Sequence, residues 1–442
     1  MNDVLFKKYN KEELLDKKFR RLCLGQIENI FIIGNGFDMA CELETAYWQF
    51  RDYYLNIPAS DQFIKQCKDR MQEEVEDDNY KWSDIERELA ESTSRDSKYY
   101  DLLKTADDFL LFYDDIKKAL IKYVKEVAMA KQPDYNKVEE AFKDAGIDFE
   151  KIDISSSAFV VLNYTDNFEK FLIEKCSPQF SEEEIRLHIL YPHGNVFKPE
   201  YEENIDDELQ PFICFGVCDP KLIASKQFRK DKRIQSKFLK HKYSMHFFKE
   251  NKSRSLIDYP ISFADYQFFY QIMTWSSLKY INIYGCATST VDAHIYANCF
   301  LRDKFVSTKL AVLLSRHLIR KYDKTKISPC KIKIINQLYR YPEPEKNYDP
   351  QSVKDKEAKA FSERNGWVSN TLREKCYSEN NNENENFIAI AYLSRIADAI
   401  LRVNEYMTGN EIDSKKHLGK IFDHAKEYIE FVDVGFKSDI IN

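Results

Sequence analysis

Residues 29–38 read NIFIIGNGFD, a continuous apolar run closed by two glycines around one asparagine. Because the run lacks any polar alternation, as a strand it must be covered on both faces, which is the setting of a parallel sheet flanked by helices. The chain holds only 11 glycines in 442 residues, so a pair placed directly after a buried strand marks backbone where a side chain would be in the way. Further apolar runs stand at 156–165 (SSAFVVLNYT), 187–196 (LHILYPHGNV), 211–217 (PFICFGV), 278–288 (LKYINIYGCAT) and 330–339 (CKIKIINQLY). Helix-patterned segments such as DNFEKFLIEKC at 166–176 and VDAHIYANCFLRDKF at 291–305 follow two of them. Strand and helix in alternation predict an α/β fold with a mainly parallel sheet. Asp166 with Glu169, and Ser289 with Asp292, have the spacing of capping boxes at the helix starts.

Around this framework the chain divides into three parts. Residues 1–28 hold an N-terminal helix, with Leu14, Leu15, Phe19, Leu22 and Cys23 at helical spacing. The α/β domain covers 29–340 and is interrupted at about 60–150 by a charge-rich helical insertion, clearest in WSDIERELAES and in the segment 99–131. From 341 to 442 the composition turns to YPEPEKNYDPQ, the polar tract SENNNENEN and the periodic FIAIAYLSRIADAILRVNEYM, which predicts a mainly helical appendage.

No segment approaches the roughly 18 apolar residues of a membrane span, and the charged start MNDVLFKKYNKEELLDKKFRRL is unlike a signal peptide. The expectation is a cytoplasmic protein without membrane attachment. Ten cysteines without paired CxxC spacing predict buried free thiols and no metal centre. A net charge of -7 argues against attraction of the whole chain to nucleic acid. The exception is 226–254, where 11 Lys and Arg face two acidic residues among aromatics. A single-strand binder and a helix with a solvated basic face share this composition, and the solvated helix is favoured.

Gly34, Gly36, Gly194, Gly216 and Gly285 all lie at or just after predicted strands. Ligands of open α/β sheets bind beyond the carboxyl ends of strands, so the polar residues beside these glycines are the candidates for one site. The turn Gly34-Asn35-Gly36 can leave N–H groups free for phosphate or serve as a plain structural turn, and Met39 stands where the dinucleotide fingerprint needs a third glycine. Asn163, ending the second run, can orient a ribose hydroxyl or a water, or close a turn. His193, next to Gly194, can act as a general base or serve structure alone. Thr288, Ser289, Thr290 and Asp292 can bind a ligand or cap a helix. Asp84 and Glu86, two apart, face different sides of a helix and make a poor pair for metal or acid–base work, while Glu86 alone can reach the site from the helical insertion.

In this order, IIGNGFDMACELETAYWQF, WSDIERELAE, VLNYTDNFEKF, PHGNV, FGVCD and INIYGCATSTVDAHIY resemble the bacteriophage abortive-infection AbiH family, over roughly residues 28–340. Sequences of that family are similar, more distantly, to sirtuin-like NAD-binding domains. The resemblance implies a Rossmann-like, sirtuin-like sheet and a pocket for an NAD-like nucleotide. Gly34, Asn35, Gly36, Phe37, Gly194, Gly285, Thr288 and Asp292 would line it, Asn163 would contact the nicotinamide ribose or a water, and His193 would be the base. Asp38 stands where a sirtuin-like site has serine and would stabilise cationic charge near the ribose. Gly285, Cys286 and Ala287 replace the Gly-His-Ser typical of the family, so no role of that His and Ser carries over. The implied function is antiphage defence by hydrolysis of the nicotinamide–ribose bond, with NAD as substrate rather than bound cofactor, a phage-derived trigger and self-association. Two alternatives stand beside it: a nucleotide sensor without catalysis, and an effector that reaches nucleic acid through 226–254.

Overall fold

The computed structural model describes residues 11–286, apart from 24–25, 78–81, 83, 199–200, 206–207, 218–222, 241–260 and 274–276, together with Ile295 and the segments 331–336 and 429–433. Strand β1 (Asn29–Ile33) is the predicted first run, and its residues from Ile30 to Ile33 are buried. The strands β2 (Ser157–Val161) and β3 (Ile189–Leu190) follow, then a hairpin of β4 (Glu202–Ile205) and β5 (Glu208–Pro211), then β6 (Tyr280–Tyr284), β7 (Lys331–Asn336) and β8 (Ile429–Asp433). Six of them form one sheet in the order β3-β2-β1-β6-β7-β8, with every pair parallel. With the antiparallel hairpin set aside, this is the doubly wound order of a Rossmann fold, and the direction of winding reverses between β1 and β6.

Helix α1 (Lys11–Lys18) precedes the sheet, and α2 (Gly36–Ala40) follows β1 at once. The insertion holds α3 (Tyr47–Asn56), α4 (Gln62–Asp77), α5 (Ile85–Ser92), α6 (Ala106–Tyr123) and α7 (Asn136–Asp144). After β2 come α8 (Asn167–Cys176) and α9 (Glu182–Leu187), and before β6 come α10 (Lys226–Lys230), α11 (Lys232–Phe238) and α12 (Ile261–Met273). The insertion has its own aromatic core of Phe50, Trp82, Tyr99, Phe109, Phe112 and Tyr113, separate from the core that covers the sheet. Two cores explain why so long an interruption leaves the sheet intact: α3 to α6 bury their apolar residues in the insertion core, while α7 packs through Val138, Ala141 and Phe142 on the core that covers the sheet. Among the described residues no helix is long and apolar enough to cross a membrane, and the described cysteines are buried and free.

Three expectations change. The run 211–217 is no strand of the sheet; its only ladder contact beyond β5 and the Val217 bridge is an isolated one between Ile213 and Gly194, and its apolar side chains Ile213, Phe215 and Val217 face the insertion core. Asp166 is the N-cap of α8 without a side-chain cap bond, its carboxylate pairing with Lys170 at 2.9 Å, and Glu169 is drawn to Lys198 and Arg186. In the tail read as helical, the described segment is β8, which pairs with β7 and extends the sheet. The periodic segment 387–407 lies outside the described residues.

Candidate functional site

The carboxyl ends of β1 and β6 meet at the reversal of the winding, and their glycines interlock there. Gly36 N donates to Gly285 O at 2.7 Å, Gly34 N to Tyr284 O at 2.9 Å and Phe37 N to Gly34 O at 2.9 Å. A Cβ on Gly34 would stand 2.5 Å from Gly285 O, and one on Gly285, whose φ is +64°, would stand 2.6 Å from Phe37 N. These glycines therefore serve the close approach of two loops. The expected set of free N–H groups is corrected accordingly: three of them already donate to protein carbonyls. Phe37 is a core residue, packed on Phe168, Phe171 and Tyr284, while Asn35 sits exposed at the tip and its Nδ2 donates to Thr45 O at 2.7 Å.

One turn into α2, Asp38 is fully buried. Its Oδ2 accepts from Thr165 Oγ1 at 2.6 Å and its Oδ1 from Asn167 Nδ2 at 3.0 Å. Burial pushes the carboxyl up from 3.8 to about 6, against hydrogen bonds from Thr165 and Asn167 and the nearby Asn163 amide, which favour its charged form. Asn163, just past β2, is buried. It lies near enough to this carboxyl to favour its charged form, and neither its Nδ2 nor its Oδ1 meets a hydrogen-bond partner among the described residues. An amide can make four such bonds, and burying one unpaired is unfavourable by about 1–3 kcal/mol.

His193 lies beyond β3, buried between the rings of Tyr164 and Tyr266, with centroids 6.5 and 6.4 Å away. Its Nδ1 is 3.1 Å from Leu162 O, the carbonyl of the residue before Asn163. A ring nitrogen facing a carbonyl must carry the hydrogen, so the neutral ring has its lone pair on Nε2. Gly194 follows with φ +82°, and a Cβ there would stand 2.0 Å from Phe212 O. Asp38, Asn163 and His193 thus follow the ends of three adjacent strands, β1, β2 and β3.

The insertion reaches the same edge through Glu86. This buried carboxylate accepts from Gly216 N at 2.8 Å and from Lys240 Nζ at 3.0 Å. Tyr47 and Tyr164 stand beside it, and burial, reinforced by its charge, holds both phenols well above their ordinary range. Asp84 instead caps α5 through Arg87 N at 3.3 Å. Thr165, Asn167 and the Lys240 partner of Glu86 were not singled out as site residues in the sequence; the adjacency of Thr165 and Asn167 to Asn163 in NYTDN was the available signal. Thr288 and Asp292 lie outside the described residues, as does 241–254 of the basic segment. In its described part, Arg233 pairs with Asp107 of α6, and Lys237 with Asp114 at 2.7 Å. No group of three or more His, Cys, Asp or Glu among the described residues is placed to hold a metal.

Fold and site together define a doubly wound α/β protein with a buried polar cluster at the carboxyl ends of its central strands. The family model for bacteriophage abortive infection AbiH matches residues 30–313. The chain belongs to this family, which gives it a role in phage abortive infection. Comparison with curated proteins and with solved structures finds no match.

Proposed function

We propose that the chain binds NAD or a related nucleotide at the carboxyl edge of β1, β2 and β3 and cleaves its nicotinamide–ribose bond. The observation that carries this reading is the Asn163 amide, buried near the Asp38 carboxyl with both polar atoms unpaired among the described residues. Such a group is retained against its folding penalty where a ligand completes its bonds. Heterolysis sends the bonding pair to nicotinamide and leaves positive charge on the ribose carbon. Asp38, ionised above about pH 6, stabilises that charge through a low-dielectric interior. His193 Nε2 takes a proton from the water whose oxygen adds to the carbon, giving nicotinamide, the ribosylated remainder and one proton. In infected cells, loss of NAD on a phage-derived trigger would halt phage growth.

Nicotinamide release by the purified protein, alone and with phage-infected lysate, tests the reading. Wild type should release it, and Asn163→Ala and His193→Ala should each reduce release at least about a hundredfold, the scale of a lost general base. Unaltered turnover in both variants refutes it. A sensor without catalysis is the second reading, favoured by the complete burial of Asp38 and by glycine-loop N–H groups that are already bonded. Tight NAD binding with no release under either condition would establish that one instead. The pairing of Arg233 and Lys237 with carboxylates of α6 weakens the nucleic-acid alternative, since paired cations release few counterions on binding phosphates.

A further inference from the structure

Helix α12 carries a second set of buried polar atoms without partners among the described residues: Ser262 Oγ and both amide atoms of Gln267. Both residues are 1% exposed. The helix passes the carboxyl end of β3 at Asp265 and Tyr266. Asp265 Oδ2 accepts from Tyr191 N, directly after β3, at 2.8 Å, and the next residue, Tyr266, presents its ring to His193. Ser262 precedes Tyr266 by four residues, so the two share one helix face, with Ser262 one turn nearer the amino end. Gln267 is about 100° further round and leaves that face. A buried unpaired hydroxyl therefore lies on the α12 side of His193, while Asn163 lies on the β2 side.

We propose that Ser262 is a ligand-contacting residue, its hydroxyl bonding an oxygen of the ribose or phosphate part of the nucleotide across His193 from Asn163. The assignment rests on the nucleotide reading above and gives the pocket a wall from α12 that the strand-end motifs do not supply. It also fixes opposite signs for two measurements on one variant. If the hydroxyl has no protein partner, Ser262→Ala removes an unsatisfied group from the interior and places a strong helix former in the helix, so stability holds or rises. If the hydroxyl contacts the ligand, affinity falls.

Titration calorimetry with ADP-ribose and with nicotinamide riboside, alongside thermal unfolding, tests this on the full chain. The expected result is an unfolding midpoint for Ser262→Ala at or above wild type, with ADP-ribose bound about tenfold more weakly, the scale of one lost hydrogen bond. Weakening of both probes places the contact on the ribose, and weakening of ADP-ribose alone places it on phosphate. Unchanged affinity overturns the proposal, as does a lowered midpoint, which would show a structural partner for the hydroxyl. Wild type that binds neither NAD nor ADP-ribose would sink the nucleotide reading and this contact with it, and that failure is visible before any variant is made.

Discussion

Replacing Asp38 by asparagine should change how stability depends on pH, with a sign opposite to that of most carboxylates. In the folded chain burial pushes Asp38 up to about 6 from its ordinary 3.8. A carboxyl with a raised folded pKa binds its proton more tightly folded than unfolded, so the native state holds more protons between those two values and stability falls as pH rises through that window. The difference of about 2 in pKa corresponds to about 3 kcal/mol. That penalty is absent below pH 4 and complete above pH 7. Asparagine in the same place keeps an acceptor for Asn167 Nδ2, and its new amide can donate to the Thr165 hydroxyl, which is free to reverse its role. Urea unfolding of wild type and Asp38→Asn at intervals from pH 4 to 8 isolates the effect, because every other titrating group cancels in the difference. Wild type should lose about 3 kcal/mol relative to the variant across that range. A difference that stays flat, or that grows in favour of wild type with rising pH, refutes the account of Asp38 as a desolvated charge. Near pH 7.5 the variant should be at least as stable as wild type and yet release no nicotinamide, which would separate the function of the charge from its effect on folding.

Two further outcomes follow from the packing. Gly285→Ala forces a side chain into left-handed backbone with its Cβ 2.6 Å from Phe37 N, so chemical denaturation should show a loss above about 2 kcal/mol. Lys240→Met strands the Glu86 carboxylate in the interior and should lower stability by about 3–5 kcal/mol. The double variant Glu86→Gln with Lys240→Met removes both charges and should recover most of that loss in thermal unfolding, whereas a double variant no better than the single would show that the pair is not the relevant contact.

The strands legible in the sequence are those whose environment is uniform. β1 and β2 are continuous apolar runs because both faces are covered, and β6 is buried along all but its first residue. The run PFICFGV has the same appearance for a different reason, since Ile213, Phe215 and Val217 enter the insertion core: an apolar run reports burial, and pairing has to come from elsewhere. β8, within YIEFVD, is short and carries two acids, so nothing in its composition separates it from the helical pattern around it. At the site, Asn163 and His193 were legible because position after a strand is a local property. The burial of Asp38 was not, because it depends on α2 folding over the β2–α8 turn, nor was the Glu86–Lys240 bond, whose partners are 154 residues apart.

The described part of the chain buries four carboxylates, Asp38, Glu86, Glu169 and Asp265, and how each is compensated separates structure from function. Asp265 faces Lys18 at 2.9 Å and Glu86 faces Lys240 at 2.9 Å. Glu169 faces Lys198 at 2.7 Å and Arg186 at 2.8 Å, and although burial pushes it up, these cations outweigh burial and hold it below its ordinary range. Each of these three ties distant elements together with the opposite charge that a buried ion requires. Asp38 alone is held by neutral donors, Thr165 and Asn167, and burial drives it up. A fold that supplies a cation in three places and neutral groups in the fourth leaves one buried negative charge to be met from outside. On the proposed function, positive charge developing on a ribose carbon has the sign that would meet it. The imbalance at Asp38 is thus the electrostatic counterpart of the unpaired Asn163 amide, and both lie at the carboxyl ends of β1 and β2, beside the reversal in strand order where a doubly wound sheet binds its ligand.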